Sequence, residues 1–233
     1  MNNYPTRAFI FDMDGTLVDN MRFHGAAWQT MLAENGIEAD AHEFLVKTAG
    51  KTNREIIPNF FAGADETRLL ELGGRKEAIY RELFLPHRKV IDGALEFLDE
   101  SKRMGIKMAV ATAAPPANME FILDGLDLRR FFDVITTAAD VSHGKPNPEV
   151  FLKSAEKLNV EPKNCLVFED AINGFEAASR AGMKSIGIAT VNSIANILRL
   201  DSVLEAHDNF LDLTPQNLVE RYLTETRGIA SNI

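Results

Sequence analysis

Two aspartates close to the N-terminus have the types and spacing to do chemistry together. Asp12 and Asp14 stand two residues apart at the end of a short apolar run, 8–11, with Gly15 and Thr16 behind them. A run of this kind suits a strand buried on both faces. In open α/β sheets, ligands bind beyond the carboxyl ends of the strands. If the strand's alternation continued past Asp12, both carboxylates would face one pocket. Gly15 lets the backbone turn away and frees its amides. One carboxylate of such a pair can attack a phosphoryl group as a nucleophile, and the other can protonate the leaving oxygen. With a carbonyl between them, the same carboxylates suit a hard cation such as Mg²⁺. Two readings compete. An acidic turn could cap a helix from Asp19 or Asn20. A calcium loop counted from Asp12 needs an acid or amide, a glycine and a glutamate where this chain has Thr16, Leu17 and Phe23, which excludes it.

Three more segments put polar groups at or near expected strand ends. The run 107–111 stops at Thr112, the run 164–168 stops on Glu169 and Asp170, and a loop over 142–148 carries Lys145. Singly, each has a plain explanation: a turn threonine, a solvated lysine, an N-cap aspartate before Ala171. In a parallel sheet, however, such ends converge on one crevice.

The stretch FDMDGTLVD around Asp12 resembles the first motif of the haloacid dehalogenase (HAD) superfamily, mostly Mg²⁺-dependent phosphotransferases. Thr112, Lys145 in GKPNPEVF, and Glu169–Asp170 in FEDAINGFEAASRAGM resemble the other three motifs in order and type, and the resemblance spans the chain. It implies that Asp12 is the nucleophile and Asp14 the general acid–base, with pKa values held apart by environment. Asp14 also sets the chain apart from dehalogenase and phosphonate-cleaving members, which lack an aspartate there. The resemblance further implies that Thr112 donates to a phosphoryl oxygen and that Lys145 neutralises charge on the phosphate and on Asp12. Asp170, a carboxylate oxygen of Asp12 and the main-chain carbonyl of Asp14 would hold Mg²⁺, with Glu169 as an inner-sphere or water-mediated ligand.

The elements that must position these groups follow from periodicity. After Asp19, Met21, His24, Trp28 and Leu32 fall on one helical face, and Asn35–Gly36 is a stop signal. Helical patterns dominate 41–88, with breaks at Gly50, Pro58, residues 63–65, Gly73–Gly74 and Pro86. Beyond Asp92 helix and strand alternate: helices over 93–104, 118–126, 148–158 and 171–181, strands over 107–111, 132–136, 164–168 and 184–188. A last short strand is expected near Phe210 and a helix over 215–223, with fraying after Thr224. This predicts an α/β protein: a doubly wound parallel-sheet, Rossmann-like core from residues 1–19 and 90–233, and an inserted all-α cap over 20–89.

A helical insertion right after the first motif is similar to the HAD subclass whose small lid closes over small molecules and excludes water. Within it the cap resembles β-phosphoglucomutases and the sugar-phosphate phosphatases related to them. That resemblance implies substrate contacts for His24, Trp28, Arg54 in the loop GKTNRE, Lys76 and Ala113, with Tyr80 also aligned. Each has an ordinary alternative: core packing for Trp28, a satisfied helix histidine for His24, a solvated charge for Lys76, a local ion pair for Arg54. The second motif reads Thr112-Ala113-Ala114-Pro115-Pro116, without the second hydroxyl and the lysine expected of a mutase, and Asn20 replaces a threonine. Losing those anchors favours release of phosphate to water. The expected activity is therefore a Mg²⁺-dependent phosphohydrolase acting on a sugar phosphate through an aspartyl-phosphate. The alternatives are phosphoryl transfer between C1 and C6 of glucose phosphates, and a catalytically silent binding scaffold, which the five intact catalytic positions oppose.

Composition sets the outer bounds. With 233 residues, 45% hydrophobic and 25% charged, the chain reads as an ordinary globular protein. A net charge of −9 opposes nucleic acid or an anionic membrane as partner, but not an anionic metabolite met by a cation and placed lysines. The single cysteine, Cys165, lies in an apolar run, excludes an internal disulfide and reads as core packing in a reducing compartment. The start of the chain carries no signal-peptide pattern, and no apolar run reaches membrane-spanning length. The expectation is a cytoplasmic protein, a monomer or weak homodimer, whose partner is a small phosphorylated metabolite.

Overall fold

The structure is a computed structural model that describes residues 7–40, 48 and 50–223. The helical expectation over 41–47, the reading of the first five residues and the fraying after Thr224 lie outside them.

Strand β1, Ala8–Phe11, is fully buried, as a strand must be when helices cover both faces of its sheet. It pairs in parallel with β2 (Lys107–Ala111) on one side and β4 (Cys165–Glu169) on the other. β3 (Val134–Thr136), β5 (Lys184–Ile188) and β6 (Val203–His207) complete a six-stranded sheet in the order β3-β2-β1-β4-β5-β6. All described pairings are parallel, and the order reverses at β1, as expected of a doubly wound fold.

Alternation along β1 separates two packed layers. Phe9 and Phe11 face one core with Phe97, Phe168 and Phe210, and Phe11 stacks on Phe168 with centroids 4.5 Å apart. Ala8 and Ile10 face the other core with Phe151, Val167 and Ala177. Burying each of these aromatic or branched side chains contributes roughly 1.5–3 kcal/mol. The strand ends are thereby pinned in register: Phe11 lies opposite Phe168 and Val110, so the next residues of all three strands emerge at one edge.

Among the described residues of 20–89, the α-helices of the cap are α1 (Met21–Glu34), α2 (Asn53–Ile56) and α3 (Glu66–Phe84). The expected break at Gly73–Gly74 does not occur; α3 runs through both glycines. Each costs about 1 kcal/mol of helix propensity. Packing outweighs that cost: Leu72, Ile79, Tyr80 and Phe84 are buried, and the Asp65 side chain caps the start by accepting from the Arg68 amide.

The core helices are α4 (Ala94–Arg103), α5 (Pro116–Leu123), α6 (Glu149–Leu158), α7 (Ile172–Arg180), the short α8 (Ile194–Ile197), which the sequence reading missed, and α9 (Pro215–Leu218). The chain continues from α9 into a π-helical turn at Val219–Leu223. The last strand among the described residues is Val203–His207 rather than a segment near Phe210. Its half-buried edge position leaves it without a strong apolar pattern, whereas Phe210 is apolar because it fills the aromatic core. Cys165 is buried and unpaired by any disulfide, and burial pushes its thiol up to about 12.

Candidate active site

The carboxyl ends of β1, β2 and β4 build the floor of a pocket, and the cap supplies its roof. Asp12 follows β1 directly, and its amide still donates to the Phe168 carbonyl, so the sheet fixes its backbone. Beyond Asp12 the strand alternation does not continue. The chain turns at Gly15, which has φ +85°, and forms an isolated bridge between Asp14 and Val18. Asp14 therefore reaches the same pocket as Asp12 by a turn. A Cβ on Gly15 would lie 2.2 Å from Asp170 Oδ2, so this position requires glycine for both conformation and space.

Lys145 is the cation of the floor. Its buried ammonium donates to Asp12 Oδ1 at 2.7 Å and to Glu169 Oε1 at 2.5 Å. Burial acts to lower its pKa, but the Asp12 and Glu169 carboxylates outweigh that and hold it above the ordinary lysine value. Glu169 is fixed by three donors, because its Oε2 also accepts from the Asp170 and Ala171 amides at 2.8 Å each. It packs so close to α7 that a Cβ on Gly174 would fall 1.8 Å from Oε1. Asp170 accepts from Thr16 Oγ1 at 3.2 Å, while its Oδ2 is buried without a hydrogen-bond partner. Thr112 is buried at the end of β2, where its Oγ1 accepts from the Ala114 amide at 3.0 Å.

These groups carry more negative charge than they can balance. Burial pushes Asp12 up to about 7, with Glu169 and Asp14 adding to the rise and Lys145 opposing it. Burial, with Glu169 and Asp12, also holds Asp170 well above the ordinary carboxylate range. One oxygen each from Asp12, Glu169 and Asp170 lie within 4.8 Å of one another. A buried cluster of hard oxygens, short of positive charge and with one orphaned oxygen at Asp170, fits a divalent cation of the Mg²⁺ type.

Asn20 bolts Asp14 in place. Its Nδ2 donates to Asp14 Oδ1 at 2.5 Å and to the Tyr80 hydroxyl at 2.6 Å, and its Oδ1 accepts from the Gly15 amide at 3.1 Å. It precedes α1 but makes no side-chain capping bond, so the helix-cap reading of this turn gives way to a positioning contact. Burial and the charge of Asp14 raise the Tyr80 phenol, which keeps it neutral.

The roof is made by His24, Trp28 and Lys76, all buried. Lys76 Nζ lies 2.8 Å from His24 Nδ1, 3.0 Å from Glu77 Oε1 and 5.2 Å from the Trp28 ring centroid. A lysine donating to Nδ1 leaves the imidazole proton on Nε2, which faces Asp14 Oδ1 at 3.6 Å. Ala113 lines the pocket beside Thr112. Arg54 is not brought to it. Its guanidinium is exposed, pairs with Glu66, and borders an outer groove between cap and core.

Sequence reasoning passed over Asn20 as a positioning residue, and also Thr16, Glu77 and Asn118. The last two meet across the pocket wall, and each is an ordinary helix residue in its own segment.

A family profile, haloacid dehalogenase-like hydrolase, matches residues 6–182. The phosphorylated carbohydrates phosphatase of Thermotoga maritima is 36% identical over 186 residues, covering 77% of this chain and 83% of that one. Validoxylamine A 7'-phosphate phosphatase of Streptomyces hygroscopicus subsp. limoneus is 32% identical over 196 residues, covering 84% and 92%. Among solved structures, β-phosphoglucomutase from Clostridium difficile superposes with a TM-score of 0.81 at 28% identity, covering 93% of this chain and 97% of that one. With the strand-end constellation already in place, these matches give the lineage: the chain belongs to the haloacid dehalogenase-like hydrolase family.

Proposed function

We propose that the protein is a Mg²⁺-dependent phosphohydrolase that releases phosphate from a small phosphorylated carbohydrate through an aspartyl-phosphate on Asp12. The observation that carries this reading is the pairing at the pocket floor, where Lys145 holds Asp12 Oδ1 at 2.7 Å beside Asp14. The similarity to phosphatases named for sugar and sugar-like phosphates supports the substrate class.

In this reading a carboxylate oxygen of Asp12 attacks phosphorus as the bond to the substrate oxygen breaks. Asp14 gives its proton to that leaving oxygen, then takes one from the water that attacks the phosphoryl group and breaks the Asp12–phosphorus bond. Asn20 keeps the Asp14 carboxyl turned to the pocket, where His24 Nε2 faces it at 3.6 Å. Lys145 and the Thr112 hydroxyl meet charge on the phosphoryl oxygens. Asp12, Asp170 and the Asp14 carbonyl would hold the cation, which supplies charge neutralisation. Glu169, with both oxygens already engaged by Lys145 and two amides, orients that set from behind.

A phosphomutase is the second reading, favoured by the likeness to β-phosphoglucomutase. The loop after Thr112 weighs against it, since Ala113, Ala114, Pro115 and Pro116 offer no side-chain donor to a second phosphate. Phosphorus NMR with Mg²⁺, β-glucose 1-phosphate and a bisphosphorylated glucose primer separates the two. Free phosphate without relocation supports the hydrolase; glucose 6-phosphate with little free phosphate replaces it by the mutase.

A further inference from the structure

The pocket under the cap leaves about 80 Å³ of free space, below the ~300–1,000 Å³ of sites that bury small ligands. A phosphorylated carbohydrate would gain room there if the cap lifted, so the contacts that seat the cap bear on its entry. Besides the contacts of Asn20 and His24 with Asp14 and of Arg88 with the Phe121 carbonyl, polar contacts join cap and core at two further places among the described residues. On one side Gly50 and Glu55 meet the backbone amides of Lys145 and Gly144, at 3.0 Å each. On the other side the contact is between side chains. Asn118 on core helix α5 is fully buried, its Nδ2 donating to Glu77 Oε2 at 2.6 Å and its Oδ1 accepting from Arg81 Nη1 at 2.7 Å. Glu77 and Arg81 lie one turn apart on cap helix α3, so a single amide is gripped at both ends by one face of one helix.

Glu77 links this grip to the pocket. Its other oxygen accepts from Asn53 Nδ2 at 2.8 Å and from Lys76 Nζ at 3.0 Å. One carboxylate thus joins α2, α3, the core and the lysine of the pocket roof. Both its oxygens are engaged by protein donors, which makes it a joint in the pocket wall.

We propose that Glu77, Arg81 and Asn118 form a catch that seats the cap on the core and couples that seating to the placement of Lys76. These are positioning residues. The inference rests on the cap closing over the phosphotransfer pocket, and its main readout requires no turnover.

The test is a pair of variants, Asn118→Asp and the exchange Glu77→Gln with Asn118→Asp. The single change sets two buried carboxylates against each other and should force the catch open. The exchange rebuilds it: the Gln amide donates to the new carboxylate, its oxygen still accepts from Asn53 and Lys76, and the carboxylate still accepts from Arg81. Trp28 is the one tryptophan of the chain and is buried in the roof, so acrylamide quenching of its fluorescence reports cap opening in the full protein without substrate. Asn118→Asp should raise quenching and raise KM about tenfold while leaving kcat within about threefold, and the exchange should return both towards wild type. Quenching of Asn118→Asp equal to wild type overturns the catch, as does an exchange no better than the single change in quenching or folding yield. A quenching response without hydrolysis of any phosphate monoester would leave the catch standing and remove the functional reading instead.

Discussion

Buried carboxylates on the two sides of the pocket are driven in opposite directions. On the core side burial pushes Asp12 up to about 7, with Glu169 and Asp14 adding to the rise against the one ammonium, Lys145, that Asp12 shares with Glu169. On the cap side Glu77 falls to about 2: burial would raise it, but the Lys76 ammonium and the Asn53 amide outweigh that. The floor is short of positive charge and carries an orphaned oxygen at Asp170, whereas Glu77 in the wall is fully paired. An unbalanced cluster is a place for an incoming cation and phosphoryl group to settle; a balanced one keeps a shape. The difference separates the part of the pocket suited to chemistry from the part suited to selecting what reaches it.

The comparison is broken most severely at the proposed nucleophile. Asp12→Asn should lower phosphate release by at least ~10⁴-fold while leaving the fold intact. Lys145 retains Glu169 as a partner, and one carboxylate that burial disfavours is gone. Steady-state release alongside thermal unfolding checks both halves. Wild-type turnover by purified Asp12→Asn would remove the nucleophile assignment.

Removing the charge of Glu77 should instead cost stability, and in a pH-dependent way. The folded carboxyl is depressed from 4.5 to about 2, so its contribution, of order 3 kcal/mol, is complete above the unfolded value and fades as pH falls through the folded one. Urea unfolding of wild type and Glu77→Gln should show their widest gap near neutral pH and a narrowing gap below about pH 4. A gap constant over that range would mean that Glu77 is not held ionised by its partners.

Asp170→Asn sharpens the contrast from the core side. With Asp170 neutral, Mg²⁺ affinity should fall about 10–100-fold, read by calorimetric titration as well as by the Mg²⁺ dependence of turnover. Chelation should abolish activity and Mg²⁺ should restore it. Affinity unchanged in Asp170→Asn would place the cation elsewhere.

The two sides also differ in how much of them the sequence shows. Asp12, Thr112 and Glu169–Asp170 sit where buried apolar runs stop, and parallel register alone brings such ends together, so the floor is readable from β1, β2 and β4. The wall is not. Glu77 meets Asn118 across 41 residues and Lys76 meets His24 across 52, pairings that no local period marks. Asn20 was legible as a polar residue before a helix, which is the signature of a cap, while its actual partner is Asp14. The strand Val203–His207 escaped for a related reason: an edge strand lacks the apolar run that burial on both faces imposes on β1.

The smallest effects are expected among the cap cations, and they rank by burial. Lys76 is buried at the roof, in contact with His24 and Glu77, so Lys76→Met removes a fixed charge from the pocket and leaves Glu77 without its cation. Arg54 is exposed, pairs with Glu66 and faces the outer groove; exposed pairs of this kind typically contribute ~0.2–1 kcal/mol. Lys76→Met should therefore raise KM for phosphorylated sugars about tenfold, and Arg54→Ala should raise it less. A small aromatic phosphate, which lacks the hydroxyls a sugar would present to the roof, should respond weakly to either change. If Arg54→Ala had the larger effect on sugar phosphates and spared the aromatic ester, substrate recognition would extend into the outer groove, and the roof over Asp14 would no longer be its centre.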